Sequence, residues 1–95
     1  MNKLQRVREL QDRTKKFALR IIRAFSRPPK IEEARVLGRQ FLRSGTSVAA
    51  NYRAVCRARS TADFVSKINT VLEEADETLF WLELSSKQTL FRREW

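Results

Sequence analysis

Few side chains in this 95-residue sequence could do chemistry, and their surroundings decide what kind. Histidine is absent and cysteine occurs once, as Cys56. A thiol becomes a nucleophile when a base or cation lowers its pKa. Cys56 instead falls with Tyr52 and Val55 on the apolar side of a helical pattern, where a free thiol packs as a small inert hydrophobe. Glu74 and Glu77 stand one helical turn apart, a spacing that acid/base carboxylates use. With Glu73 beside them they read instead as an exposed acidic face or as salt-bridge partners for arginines of another helix. There is no Gly-rich phosphate loop and no Cys/His spacing that would hold a metal. The expectation is a non-enzyme without metal or cofactor, acting by binding.

What the chain supplies in quantity is arginine. Lys and Arg number 20 against 11 acidic residues, a net +9 that attracts polyanions at long range. Nucleic acid is the first partner class this implies and an anionic membrane surface the second. The imbalance is local. Residues 1–59 carry 16 Lys/Arg and four acids, net +12, whereas residues 60–95 carry four Lys/Arg and seven acids, net −3. Any polyanion surface must therefore come from the first part of the chain.

The elements that position these charges are helices. Gly and Pro number two each, and Leu, Ala, Arg, Glu and Lys dominate. Over residues 4–25, Val7, Leu10, Phe17, Ile21 and Phe25 share one side at about 100° per residue, and Arg6, Arg13, Lys16, Arg20, Arg23 and Arg27 share the other. Pro28-Pro29 ends this first helix, because proline lacks the donor and restricts the residue before it. A second helix is expected over 31–58, burying Phe41, Val48, Tyr52 and Val55, with Gly38 and Gly45 on its inner side to admit a neighbouring backbone. Fraying near Ser44-Gly45-Thr46 is the alternative. Ser60 followed by Asp63 resembles a capping box, opening a third helix to about Leu84. Its expected inner stripe is Phe64, Val65, Ile68, Val71, Leu72, Ala75, Leu79 and Leu82, which leaves Phe80, Trp81 and Leu84 outside. Residues 85–95, with Leu90, Phe91 and Trp95, can form only a short helix. No stretch reaches the roughly 20 apolar residues of a membrane span. No leader or anchor is recognised, and a reducing cytoplasm suits the single cysteine.

The arginines read in two ways. They form a solvated surface, partly offset by the acids of the third helix, or a phosphate-binding face. About four suitable carboxylates stand against eleven basic residues, and Arg suits planar, bidentate phosphate contacts. The expected nucleic-acid contacts are Arg13, Lys16, Arg20 and Arg23 on the first helix and Arg35, Arg39, Arg43, Arg53 and Arg57 on the second. Nothing matches a helix-turn-helix, zinc finger or RNA-binding sheet, so binding would read backbone and shape. A seam of small or modestly polar residues, Gln40, Ser44, Ser47, Asn51, Ala54 and Ala58, is spaced at alternating threes and fours along the second helix. It is the expected subunit interface, with plain solvent exposure as the alternative.

The run Ser44-Gly45-Thr46-Ser47-Val48-Ala49-Ala50-Asn51-Tyr52, then Arg57-Ala58-Arg59-Ser60, Asp63-Phe64, Lys67, and Glu74-Ala75-Asp76-Glu77-Thr78 with Trp81-Leu82, resembles a known family. These are the four-helix-bundle proteins encoded in bacterial 23S ribosomal RNA intervening sequences, whose relatives include accessory variability proteins of diversity-generating retroelements. The resemblance spans about Phe17 to Leu84. It implies an up-and-down four-helix bundle, a ring-shaped homopentamer, and RNA or DNA as ligand. The chain departs from the pattern at Ala54, where the family has Glu three residues after the Asn of the second helix. It departs again in its fourth helix, short or missing. The combined expectation is one all-α antiparallel bundle domain over residues 1–95, oligomeric and binding RNA or DNA. The rival readings are an adaptor whose basic surface docks an acidic partner such as a reverse transcriptase, and a mobile-element remnant with no selected activity.

Overall fold

The computed structural model describes residues 2–26 and 30–87. Three helices follow in order, α1 (Lys3–Ala24), α2 (Glu32–Val55) and α3 (Thr61–Lys87), with no strand among the described residues. Arg27, Pro28 and Pro29 lie outside the described residues, as does most of the short helix expected over 85–95, with Leu90, Phe91 and Trp95. Ser85–Lys87 belong to α3.

Each start has a local cause. Asn2 caps α1: its side-chain oxygen accepts from the Gln5 backbone N–H at 2.8 Å while the Gln5 side chain accepts from the Asn2 N–H at 3.0 Å. At α2 no side chain caps the first turn, but Glu32 and Glu33 face its positive end. Ser60 Oγ accepts from the Asp63 N–H at 3.0 Å. The returning bond differs from the expected box, because the Asp63 carboxylate accepts from the Arg59 N–H, one residue before Ser60. This bond and the Lys67 ammonium hold Asp63 below the usual carboxylate range.

Both outer helices run antiparallel to α2, as the order of contacts shows. A Cβ on Gly38 would lie 1.6 Å from Phe25 Cε2, and one on Gly45 would lie 2.7 Å from Ile21 Cγ1. Both glycines thus admit α1, and α2 runs unbroken through Ser44-Gly45-Thr46. On the other side Arg43 meets Glu74 and Glu77, while Ala54 shares a small cavity with Asp63 and Lys67. No Cα of α1 comes within 8 Å of one in α3, so α2 is the shared middle helix. Two apolar clusters fill the angle between them. Ile21, Ala24 and Phe41 pack with Leu42, Trp81 and Leu82; Val48, Tyr52, Val55 and Val71 pack with Cys56 and Ile68; Phe17 touches both.

The third helix is rotated from its expected orientation. Val71, Thr78 and Ser85, seven residues apart, are its buried line, with Trp81 half-buried against Ile21 and Phe41. The stripe expected inside is instead largely open: Leu72 is 60% exposed, Leu79 52%, Val65 48% and Phe64 46%, and Ala75 is also exposed. The reason lies on α2, whose α3-facing edge carries small side chains such as Ser44 and Ala54. Thr78 and Ser85 are small and buried, which suits a close approach of two helices that leucines would hold apart.

Candidate nucleic-acid interface

The seven-residue spacing Arg8–Lys15 on α1, with Arg53 in the last turn of α2 and Arg57 in the turn just past its end, places four cations along two neighbouring antiparallel helices. Between them lies an open cleft of about 760 Å³. Its walls are Arg8, Gln11, Asp12 and Lys15 on one side and Thr46, Ala49, Ala50, Arg53 and Arg57 on the other. Ala49 and Ala50 keep that wall low, so a ligand can approach the α2 backbone. Among the described residues Asp12 is the one carboxylate lining it, and Lys16 pairs with it at 3.0 Å from outside the cleft. Arg8, Lys15, Arg53 and Arg57 are all exposed, and among the described residues none has a carboxylate within 4 Å. The result is a concave surface of uncompensated positive charge, suited to a phosphate backbone.

The basic surface continues around Arg57. A second cavity of about 350 Å³ is lined by Ala54, Arg57, Arg59, Asp63 and Lys67. Here Asp63 is engaged by Lys67 at 2.9 Å, which leaves Arg57 and Arg59 as its free cations. Arg35 and Arg39 extend the same flank of α2 toward its start, since 35, 39, 46, 50, 53 and 57 follow one another in steps of three, four and seven.

The nine expected contact residues therefore separate. Arg53 and Arg57 line the cleft, and Arg35 and Arg39 prolong its α2 side. Arg13, Lys16, Arg20 and Arg23 are exposed on α1 but are not among the residues lining the cleft. Arg43 is engaged inside the chain: its guanidinium donates to Glu74 Oε2 at 3.3 Å and to Glu77 Oε1. Glu77 also accepts from Trp81 Nε1 at 3.1 Å. These bonds hold the Glu77 carboxyl below its usual range, through Arg43 first and Trp81 second, and raise the Arg43 guanidinium through Glu77 first. Glu74 and Glu77 are thus the salt-bridge partners that their spacing allowed. Tyr52 packs beside Cys56, and burial foremost pushes its phenol up.

Arg8, Lys15 and Arg59 were missed by sequence reasoning. The available signal was the 8–11–15 row adjoining the inner residues Val7 and Thr14; the longer row at 13, 16, 20 and 23 hid it. The interface seam Gln40, Ser47, Asn51, Ala54 and Ala58 is half-buried within the single chain. Its Ala54 end faces Lys67, and Gln40 accepts from Arg43 Nε at 3.3 Å beside the Glu74 pair, so the seam runs along the α3 side of α2. No group of His, Cys, Asp or Glu among the described residues could hold a metal, and no described helix is long and apolar enough to cross a membrane.

Comparison with known proteins adds two findings. The model of the 23S rRNA-intervening sequence protein family matches residues 8–95. A crystal structure from Bacteroides thetaiotaomicron VPI-5482, described as a protein of unknown function from the S23 ribosomal protein family, is 39% identical and superposes with a TM-score of 0.79. The match covers 93% of this chain and 79% of that one. Among curated proteins no sequence matches.

Proposed function

We propose that this chain, which belongs to the 23S rRNA-intervening sequence protein family, is a non-catalytic RNA- or DNA-binding protein that grips the phosphate backbone in the cleft between α1 and α2. The observation that carries the reading is the convergence of Arg8, Lys15, Arg53 and Arg57 on one concavity whose only acid among the described residues is held by Lys16. Arg57 extends the track toward Arg59 across the α2–α3 turn. Contacts of this kind fix register on the backbone and carry little sequence information, so the expected preference among sequences is small. The four-helix and oligomeric character that the resemblance implies belongs to the same proposal.

Salt titration tests it. Four phosphates neutralised on single-stranded RNA give a log–log slope of affinity against salt near −2.8, at about −0.7 for each contact. In the double variant Arg53→Ala/Arg57→Ala the slope is expected to fall to about −1.4. Arg23→Ala, on the outer side of α1, leaves it unchanged. Binding that is undetectable at low salt, or a slope that the double variant does not alter, sinks the reading and returns the surface to the docking of an acidic protein.

A further inference from the structure

The cavity where α2 gives way to α3 is a different kind of basic site from the cleft. Ala54, Arg57, Arg59, Asp63 and Lys67 line its volume of about 350 Å³. Ala54 keeps it open: a single methyl group in the last turn of α2 leaves the space unfilled and brings no carboxylate to the cations around it. The acid that does line it, Asp63, is already committed. Its carboxylate accepts from the Arg59 backbone N–H at 3.0 Å and from Lys67 Nζ at 2.9 Å. An ammonium has three donors, so one bond to Asp63 fixes Lys67 at the cavity wall and leaves the others for a ligand. Arg57 and Arg59 are exposed and, among the described residues, have no carboxylate within 4 Å.

Charge selects the ligand. Three cations against one carboxylate leave a net +2 around the cavity. A phosphodiester inside a strand carries one negative charge. A phosphate monoester carries about −1.5 to −2 near pH 7 and presents three strong acceptor oxygens. Two guanidinium groups and an ammonium suit the monoester, since planar arginine donors engage phosphate oxygens in pairs. The frame is also set before a ligand arrives. The Arg57 N–H donates to the Ala54 carbonyl and the Ala58 N–H to the Val55 carbonyl, both at 3.0 Å, and Ser60 Oγ accepts from the Asp63 N–H at 3.0 Å. Little backbone ordering then opposes binding.

The cavity and the cleft meet at one side chain. Arg57 lines both, with the cleft on the α1 side of α2 and the cavity on the α3 side. A strand lying in the cleft and passing Arg53 and Arg57 therefore arrives at Arg59 and Lys67. We propose that this cavity receives a phosphate monoester dianion, the terminal phosphate of the strand in the cleft, a role that rests on the strand binding proposed above. Arg59 and Lys67 are its own contacts and Arg57 is shared with the cleft. The protein then recognises where a strand ends, although it reads little of its sequence. A 5′-phosphate, a 3′-phosphate and free phosphate share this chemistry.

The test separates these sources. Single-stranded RNA of one sequence, labelled internally, is prepared with a 5′-phosphate, with a 3′-phosphate and with hydroxyl groups at both ends, and the affinity of the full chain for each is measured by fluorescence anisotropy. One phosphorylated form is expected to bind about tenfold more tightly than the hydroxyl form, the gain of one charge-assisted hydrogen bond. Arg59→Ala, at an exposed turn position, and Ala54→Glu, which puts a carboxylate into the cavity, are each expected to bring that ratio to about one, with helical circular dichroism kept. Lys15→Ala, on the α1 wall of the cleft, weakens all three forms alike and leaves the ratio as it was. Equal affinity for the three forms, or a preference that survives Arg59→Ala, overturns the proposal, while the salt slope of the hydroxyl form still decides the cleft separately. If no strand binds at low salt, the cleft reading fails and the terminal phosphate with it. A rise in Tm with inorganic phosphate that Arg59→Ala abolishes then assigns the cavity to free phosphate, and no rise removes the site altogether.

Discussion

Replacing Gly45 with alanine sets two known effects against each other. Alanine inside a helix is worth about 1 kcal/mol over glycine, so on propensity alone the variant gains stability. Packing opposes this. The new methyl would sit 2.7, 2.8 and 2.9 Å from three side-chain carbons of Ile21, a full ångström inside ordinary carbon contact. Ile21 is 0% exposed and branched at its β-carbon, so it has nowhere to turn. Relief requires α1 to lift from α2 or Ile21 to leave its rotamer, and overpacking of this kind costs about 1–3 kcal/mol. With three atoms in conflict the upper part of that range applies, and the net loss is about 1–2 kcal/mol. Thermal denaturation followed by circular dichroism is expected to show a fall of roughly 5–15 °C for a domain of this size. In a double-mutant cycle, Gly45→Ala combined with Ile21→Ala should cost less than the sum of the single changes, because the second substitution removes all three clashing carbons. A Gly45→Ala variant more stable than the native chain, or strict additivity with Ile21→Ala, refutes the close seating of α1 on α2.

Two further outcomes follow from polar groups on α3. Ser85 is 0% exposed and its hydroxyl has no hydrogen-bond partner among the described residues, so Ser85→Ala should raise stability by about 1 kcal/mol in urea denaturation, whereas a loss of that size means the hydroxyl is satisfied. Glu77 is held below the ordinary carboxylate range by Arg43 and Trp81, so its contribution is complete above that range and is lost as pH falls through the lowered value. The gap in Tm between native chain and Glu77→Gln should therefore be constant above about pH 6 and close toward pH 3, and a gap that widens on acidification contradicts the pairing.

The helices themselves were legible because their signals agree. On α1 and α2 the apolar residues and the arginines occupy opposite sides, and the close-packed glycines lie on the apolar side. The Ser60 cap was readable, while the Asn2–Gln5 box was not singled out, although both residue types and the spacing were present. On α3 the signals conflict. Its most conspicuous pattern is the heptad through Leu72 and Leu79, and periodicity alone assigns the largest apolar stripe to the core. The line that packs on α2 is Val71, Thr78 and Ser85, which hydrophobicity does not select. Complementarity would have selected it, since a small-residue edge on one helix calls for small residues on the next.

The candidate site was half legible for a related reason. Composition places the positive charge in residues 1–59, and the arginines of α2 follow one flank, so Arg53 and Arg57 emerge from the pattern. Which basic row of α1 joins them depends on how α1 sits on α2, and that is decided by the knob of Ile21 over Gly45 and of Phe25 over Gly38. A contact between helices cannot be read from either helix alone. The packing of α3 on α2 likewise explains why Arg43 leaves the candidate phosphate-binding set. It lies near Arg39 along the sequence, yet it is turned far enough around α2 to meet Glu74 and Glu77. The acidic excess of the third helix is thus divided in space. Glu74 and Glu77 hold α3 to α2, while Asp76 and Glu83 stay exposed on α3, away from the cleft and its positive field.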